Sequence, residues 1–494
     1  MSSTSTAEHA TAPPLCHVFR HRGRWFAYDA FSNRLLGIDA AVAKLLSGRF
    51  LSPPAMVRRG AAWRQVLDAR RQDLLLPVNP RLGPPARDEE AESGWTVEHL
   101  TLTVSEECNL RCRYCLHGSR APWIRPHRPR AMSRRTALRA VATFLERCHP
   151  RTQPVISFYG GEPLLNLPVI RAVARYVASH PRRDEVQLVV DTNGTRLGGA
   201  AALVQRHRLY LQISMDGPAP SHDRYRRTRG GRPTHRHLEN VLHRLLSADP
   251  GLAQRLRIQV TLVPDTDLEA VDAYFANFPP FRRLGLPGSP PLGVSTADLT
   301  GLPLASTLTA PAVRRWWREQ LTAARERFVS ACRRGQREEL GPVTRALFEP
   351  RLVRWHHRRR GSPPAAPVPA GCCRPGVHKL HVRADGRLQP CERVGETMIL
   401  GDVEQWVDPV AVRELWNRFL AATGERCATC WAFRLCDLCF AVLAPTWERQ
   451  PAPPLPEAAC RRVRQRLEET MRLYLDLKEG DGAGTAWLRH TMVV

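Results

Sequence analysis

Short apolar runs separated by longer polar stretches dominate residues 95–300. TVEHLTLTV, PVISFYG, VQLVVDTNG, LYLQISMDG, RIQVTLVP and LGVSTA each read as a strand, being brief and rich in β-branched and aliphatic side chains. Between the first two, Leu138, Val141, Ala142 and Leu145 recur at helical spacing behind Ser133, whose hydroxyl suits an N-cap. Repeated strand–helix units predict a parallel sheet closed fully or partly into a barrel, with its chemistry at the carboxyl ends of the strands. Several of those ends carry polar motifs.

The flanks are patterned differently. In residues 15–80, HVFRHRGRWFAYDA alternates apolar and polar positions about Gly23 as a β-hairpin does, and Ala41, Leu45 and Leu46 begin an amphipathic helix. Residues 1–14 read as a polar tail, and 81–94, rich in Pro, Gly and acids, as a linker. After the strand region at 95–300, PAVRRWWREQLTAARERFVSACRR predicts a helix inside a bridge at 301–365 that turns basic and Pro-rich. A cysteine-rich region occupies 366–465, and an amphipathic helix, RRVRQRLEETMRLYLDL, runs into the terminal stretch at 466–494. No solenoid-type repeat is visible.

At 494 residues the chain has room for about three domains. No apolar run approaches the ~18 residues of a membrane span, and MSSTSTAEHATAPP lacks the basic-then-apolar order of a secretory signal, so a cytoplasmic protein without a membrane partner is expected. The net charge of +26 would ordinarily raise a nucleic-acid partner. Lysine, however, occurs only at Lys44, Lys379 and Lys478, so the excess is arginine, as a GC-rich coding bias produces without selection for phosphate contacts. The charge still favours acidic partners at low salt.

Fourteen cysteines without an export signal point to metal or redox chemistry rather than disulfides. Cys108, Cys112 and Cys115 stand together, eight more lie between Cys372 and Cys460, and Cys16, Cys148 and Cys332 are isolated. The run CNLRCRYC follows the first barrel strand. Three thiolates can hold three irons of a cubane and leave the fourth open, whereas a structural zinc site needs a fourth ligand, for which His117 is the neighbouring candidate.

This Cys-x3-Cys-x2-Cys, with Tyr114 before its last cysteine, resembles the signature of radical S-adenosylmethionine (SAM) enzymes. Further motifs follow in order. Gly160, Gly161, Glu162 and Pro163 in SFYGGEPLL are similar to the superfamily's segment at the methionine amino group of SAM; glycines allow close backbone approach and Glu162 could support an ammonium. DTNGTRL, with Asn193, and ISMDGPAPSHDRYRR also resemble this superfamily, in its peptide-modifying branch. The likeness puts Ser214 and Asp216 near the ribose or methionine of SAM, followed by the HDxxR residues His222, Asp223 and Arg226. Singly, each motif reads as turn punctuation.

The C-terminal cysteines resemble a SPASM extension, which implies two auxiliary [4Fe-4S] clusters beside the one that binds SAM. By that likeness Cys391 and Cys439, with Cys372 or Cys373 or both, hold the first, and Cys427, Cys430, Cys436 and Cys460 the second. The spacing departs from the usual pattern in having two residues, not three, before Cys439. A zinc ribbon is the alternative for Cys427-x2-Cys430 and Cys436-x2-Cys439. GCCRPGVHKLHVRADGRLQPCERVGE is similar to maturases of ribosomally made peptides, notably thioether-forming ones. The phrase RWFAYDAFSNRLLGID resembles their peptide-recognition domain, which would bind a leader by strand addition.

The implied architecture is a partial (β/α)6 TIM-like radical SAM barrel, with a small winged-helix-like α+β domain before it and a SPASM domain after it. The implied function is hydrogen abstraction by a 5′-deoxyadenosyl radical, then thioether formation on a cysteine of a precursor peptide carrying a leader. Flavodoxin or ferredoxin would be the electron donor. Glu392 occupies the position of an acidic residue proposed as a base in related maturases; alternatively it is a solvated carboxylate paired with Arg393 or Arg387. Side-chain oxidation, carbon–carbon crosslinking and, from another class, a metal-binding regulator on nucleic acid remain alternatives. Cys148, Cys332 and the Trp316-Trp317 pair read as packing residues, and Arg358 to Arg360 as a solvated loop.

Overall fold

The computed structural model describes residues 12–48, 60–78, 80, 97–118, 123–364, 373, 378–447, 455–479 and 483–491. The expected linker at 81–94, most of the tail and Cys372 lie largely or wholly outside them.

The N-terminal unit opens with β1 (Cys16–His21) and β2 (Arg24–Asp29), paired antiparallel through Arg22 and Gly23, both at positive φ, the conformation a two-residue hairpin turn requires. Strand β3 (Arg34–Ile38) completes this sheet, and α1 (Ala40–Ser47) and α2 (Ala61–Arg71) pack on it through Val42, Trp63 and Val66.

All six strands read from the apolar pattern form. They are β4 (His99–Ser105), β5 (Val155–Gly160), β6 (Gln187–Thr192), β7 (Tyr210–Ser214), β8 (Leu256–Leu262) and β9 (Leu292–Thr296), parallel and adjacent in chain order. Alternation decides their faces. Leu100, Leu102, Ile156, Phe158, Val190, Ile213 and Ile258 are buried in the hydrophobic core, which includes Ala140, Val141 and Phe144 of α3 (Arg134–Arg147). The other face carries His99, Thr101, Ser157, Tyr159, Asp191 and Gln212, which line the barrel interior. Ser133 caps α3 by accepting the Thr136 N–H.

The sheet does not stop at β4. Strand β10 (Lys379–Val382) pairs parallel to β4, and β11 (Arg387–Gln389), β12 (Gly401–Asp402) and β13 (Trp406–Val407) extend it antiparallel to ten strands. The cysteine-rich region is therefore hydrogen-bonded to the barrel. Among the helices, α4 (Pro311–Arg333) follows the predicted span, α5 (Pro342–His356) adds a second helix to the bridge, α6 (Pro409–Ala428) leads to Cys430, and α7 (Glu457–Lys478) closes the chain's core. No described helix is long and apolar enough to cross a membrane.

The N-terminal unit packs on these C-terminal elements. The His17 ring stacks on Trp431 at 4.3 Å and Tyr28 meets the same indole edge-on at 5.8 Å. Arg434 donates to the carbonyls of Phe31 (2.5 Å) and Gly361 (2.6 Å). His17 and His21 bond to Glu468 and Asp476 of α7, each at 2.9 Å. Arg358 is correspondingly no solvated loop residue: its guanidinium lies 3.7 Å from the Trp355 ring centroid and donates to the Asn33 and Trp355 carbonyls, because stacking and two carbonyl partners replace its water. Cys148 and Cys332 are buried in the core, as their helical spacing predicts, and Trp317 is half-buried against it.

Candidate active site at the barrel mouth

The loop after β4 and the turn after β5 are joined backbone to backbone. Gly161 N–H donates to Ser105 O (2.7 Å) and Glu162 N–H to Glu107 O (2.8 Å). A Cβ at Gly160, where φ is +141°, would run into the Ser105 carbonyl, and one at Gly161 into that of Glu107. The glycines thus serve the approach of the turn to the cysteine loop.

Glu162 is likewise engaged within the chain. Its buried carboxylate accepts from Leu164 N–H (3.0 Å), Thr192 Oγ1 (2.7 Å) and Asn193 N–H (2.8 Å). Three of roughly four acceptor positions are taken by its own chain, so it shapes the turn before it can meet an ammonium. Burial pushes it up to about 7, with the three donors acting in opposition. Pro163 opens a 3-10 turn that runs to Asn166.

Cys108, Cys112 and Cys115 share the loop after β4, where burial and then neighbouring charge act on the Cys108 and Cys112 thiols, the Arg226 guanidinium opposing the rise at Cys112. Burial comes first, taking Cys108 up to about 11 and Cys112 to about 12; thiolates here require a strongly cationic ligand. Asn193 points its Nδ2 at Cys108 Sγ (3.8 Å) and at Asn109 Oδ1 (3.0 Å). His117 offers no metal a free ring nitrogen, since Nδ1 donates to Arg125 O (2.9 Å) and Nε2 accepts from the Arg125 guanidinium (3.2 Å). His127, which the cysteine spacing gives no means of finding, places Nε2 3.8 Å from Cys115 Sγ.

Below this loop, Asp216 accepts from the Arg226 guanidinium (2.8 Å and 3.3 Å), Thr261 N–H (2.9 Å) and the Tyr114 hydroxyl. With four donors, this carboxylate braces the loop, and Tyr114 and Arg226 are its partners there. Ser214 ends β7, half-buried. His222 accepts the Asp216 N–H at Nδ1 and bonds Thr234 Oγ1 through Nε2; burial lowers its ring to about 4, so it is neutral. Asp223 accepts the N–H groups of Thr234 and His235, fixing the start of the next helix.

The barrel interior holds a cavity of about 490 Å³, open to solvent. Glu392 lies on it, paired with Lys379 of β10 at 2.8 Å, not with Arg393 or Arg387. The pairing follows from β10 joining the barrel sheet, which carries Lys379 to the cavity wall. Burial opposes the charge on Glu392, but Lys379 holds its carboxyl below the usual range. Asp191, on the same wall, accepts from the Gln212 amide, and burial takes it up to about 6.

Farther out, Cys427, Cys430, Cys436 and Cys460 line one small cavity of about 30 Å³ with Phe433 and Val463. Cys391 and Cys439 are electrostatic neighbours, and Cys439 also feels Cys373. Among the described residues no three His, Cys, Asp or Glu side chains converge on a single metal ion. A cubane takes each thiolate on a separate iron, so sulfurs spaced around one cavity fit that group.

The family model of the radical SAM superfamily matches residues 102–264. The chain is similar to a GTP 3',8-cyclase of Xanthomonas campestris pv. campestris, 29% identical over 198 residues, 40% of this chain and 51% of that protein. It is also similar to a serine-type anaerobic sulfatase-maturating enzyme of Bacteroides thetaiotaomicron, 27% identical over 139 residues, 27% of this chain and 33% of that protein. The chain thus spans about half the length, or less, of these curated relatives. The solved structure of anSMEcpe with bound AdoMet matches at a TM-score of 0.56 and 19% identity, covering 81% of this chain and all of that one, a likeness of fold. Residues 102–264, from the first barrel strand to just past the fifth, are therefore a radical SAM domain.

Proposed function

We propose that this chain is a radical SAM enzyme that modifies a ribosomally made precursor peptide, forming a thioether crosslink to one of the peptide's cysteines. The observation that carries the reading is the joint one of a three-cysteine loop after the first barrel strand, a polar cavity inside the barrel, and further cysteines in a region whose strands extend the same sheet. Cys108, Cys112 and Cys115 would hold a [4Fe-4S] cluster with SAM at its open iron. Such a centre, when loaded and reduced, supplies a 5′-deoxyadenosyl radical that takes hydrogen from a substrate carbon. Asn193 and the backbone of Gly160 and Gly161 would orient its ligands, while Tyr114, Asp216 and Arg226 keep the loop rigid.

Auxiliary clusters would be held by Cys427, Cys430, Cys436 and Cys460, and by Cys391 and Cys439 with Cys372 or Cys373 or both. They are suited to accept the electron released on bond formation. The Glu392 carboxylate would take a substrate proton, with Lys379 setting its charge. A peptide substrate is supported by a further anSMEcpe structure, with AdoMet and the Cp18Cys peptide bound (TM-score 0.55), which shares this fold. The N-terminal unit would take the leader: a cavity runs from the outer strand β3 to α2, lined by Trp25, Leu36, Ile38, Val66 and Leu75 with Arg24 at its edge. An added strand there would pair with the outer edge of β3.

Anaerobic reconstitution should load about twelve irons per chain. Cys112→Ala should abolish formation of 5′-deoxyadenosine while keeping about eight of those irons; cleavage at the normal rate would overturn the assignment. Mass spectrometry of a co-expressed Cys-containing precursor should show loss of two hydrogens and one thiol blocked to alkylation. An alkylatable thiol in the product would direct the chemistry to carbon–carbon bonding or oxidation instead.

A further inference from the structure

One strongly charged surface is not used by the chemistry above. From 224 to 238 the chain reads RYRRTRGGRPTHRHL, with six arginines and no acidic residue. Its first half lies alongside the cysteine loop, backbone to backbone. Arg111 N–H donates to Arg227 O (2.8 Å), Arg113 N–H to Tyr225 O (3.0 Å) and Arg229 N–H to Asn109 O (3.2 Å), with Leu110 and Thr228 forming a bridge. The strip then folds on itself through a bridge from Arg227 to Pro233.

Arg226 alone turns inward, to Asp216. Arg224, Arg227, Arg229, Arg232 and Arg236 are exposed, as is Arg113 on the cysteine loop itself. Among the described residues only two carboxylates pair with this surface: Asp265 with Arg224 at 2.9 Å, and Glu107 with Arg229 at 3.8 Å. Arg224 and Arg229 keep 57% and 68% of their side-chain surface in water. Elsewhere the arginines are matched more closely, as on α7, where Arg464, Arg466 and Arg472 pair with Glu457, Asp437 and Glu468.

We infer that this arginine strip is the docking surface for an acidic one-electron carrier protein, of the flavodoxin or ferredoxin class, which reduces the cluster of the adjoining cysteine loop. The inference rests on the radical SAM reading of that loop. Positive potential over an exposed strip steers an acidic protein into encounter, and a carrier seated there stands over the loop with one backbone layer between. The transfer balances simply: the carrier loses one electron, the cluster gains one, and no proton need move. Nucleic acid fits less well, because Tyr114 and Tyr225 are buried and leave no aromatic platform for bases.

The test uses loaded holoenzyme with SAM and two reductants, reduced flavodoxin and dithionite. The triple variant Arg229→Glu, Arg232→Glu, Arg236→Glu should lose about tenfold or more in flavodoxin-driven 5′-deoxyadenosine formation at low salt, and equally in binding of oxidised flavodoxin by biolayer interferometry. Dithionite-driven cleavage should be unchanged, which also shows that the variant is folded. Should the triple variant lose dithionite activity too, Arg232→Gln alone is scored by the same binding assay, with about a threefold loss expected. Unchanged flavodoxin affinity in these variants overturns the proposal, as does tighter binding of duplex DNA than of flavodoxin to the same arginines. Absence of dithionite-driven cleavage in the unsubstituted enzyme would overturn the underlying radical SAM reading itself.

Discussion

At the scale of single residues, the site is built by groups that are committed to one another before any ligand arrives. Gly160 and Gly161 admit no side chain, because each faces a carbonyl of the cysteine loop. Gly160→Ala should destabilise the protein by about 2–4 kcal/mol and lower its cluster content, read as a fall in Tm and in bound iron. Gly199→Ala, in a helix with open space around its Cα, should instead stabilise by up to about 1 kcal/mol. Equal effects from the two would show that the stitched turn is not what Gly160 supports.

His222 gives a pH prediction. Its folded pKa, about 4, lies below the ordinary 6.5, so the unfolded chain binds the proton more readily. The stability it contributes is fully present above about 6.5 and is lost as the pH falls through 6.5 toward 4. Between pH 7 and pH 5 this amounts to about 2 kcal/mol, a slope that His222→Gln should remove from chemical denaturation curves. Motif spacing located Asp216 and His222, but not their partners. Four donors converge on Asp216 from residues as far apart as Tyr114 and Thr261, a long-range arrangement that no local pattern encodes.

At the scale of elements, apolar alternation was enough to place all six barrel strands, since each buries one face under helices and leaves the other to the cavity. The short strand β10 escaped that reading because four residues flanked by Gly and Pro carry little periodicity; what makes it a strand is the open edge of β4. Its pairing brings Lys379 to Glu392, which local sequence assigned to a neighbouring arginine. The loop from Cys430 to Cys436 has a comparable double duty. Its Trp431 and Arg434 hold the N-terminal sheet while the flanking cysteines line the outer cavity. Trp431→Ala should speed hydrogen exchange in β1 and β2 by about tenfold or more, through loss of the His17 stack and the Tyr28 edge contact. Unchanged protection would mean that the α7 ion pairs and the arginine–carbonyl bonds seat the unit without the indole.

At the scale of the whole molecule, the net charge of +26 was set aside as coding bias, and the structure divides it. Many arginines are spent inside the fold, as Arg358 and Arg434 are, whereas the strip beside the cysteine loop stays in water. Composition could not make that distinction, because it depends on which arginines find carbonyls and carboxylates after folding.

The continuous ten-stranded sheet bears on ancestry as well as on stability. If the barrel and the cysteine-rich region were independent modules, recombination could exchange them between relatives like cassettes. Here a strand of one completes the hydrogen bonding of the other and carries Lys379, paired with Glu392, to the wall of the barrel cavity. Chimeras joined near residue 370 would leave the first barrel strand with an unsatisfied margin prone to self-association. Diversification by drift within one inherited unit is accordingly easier than by shuffling, and the two halves should share a common history.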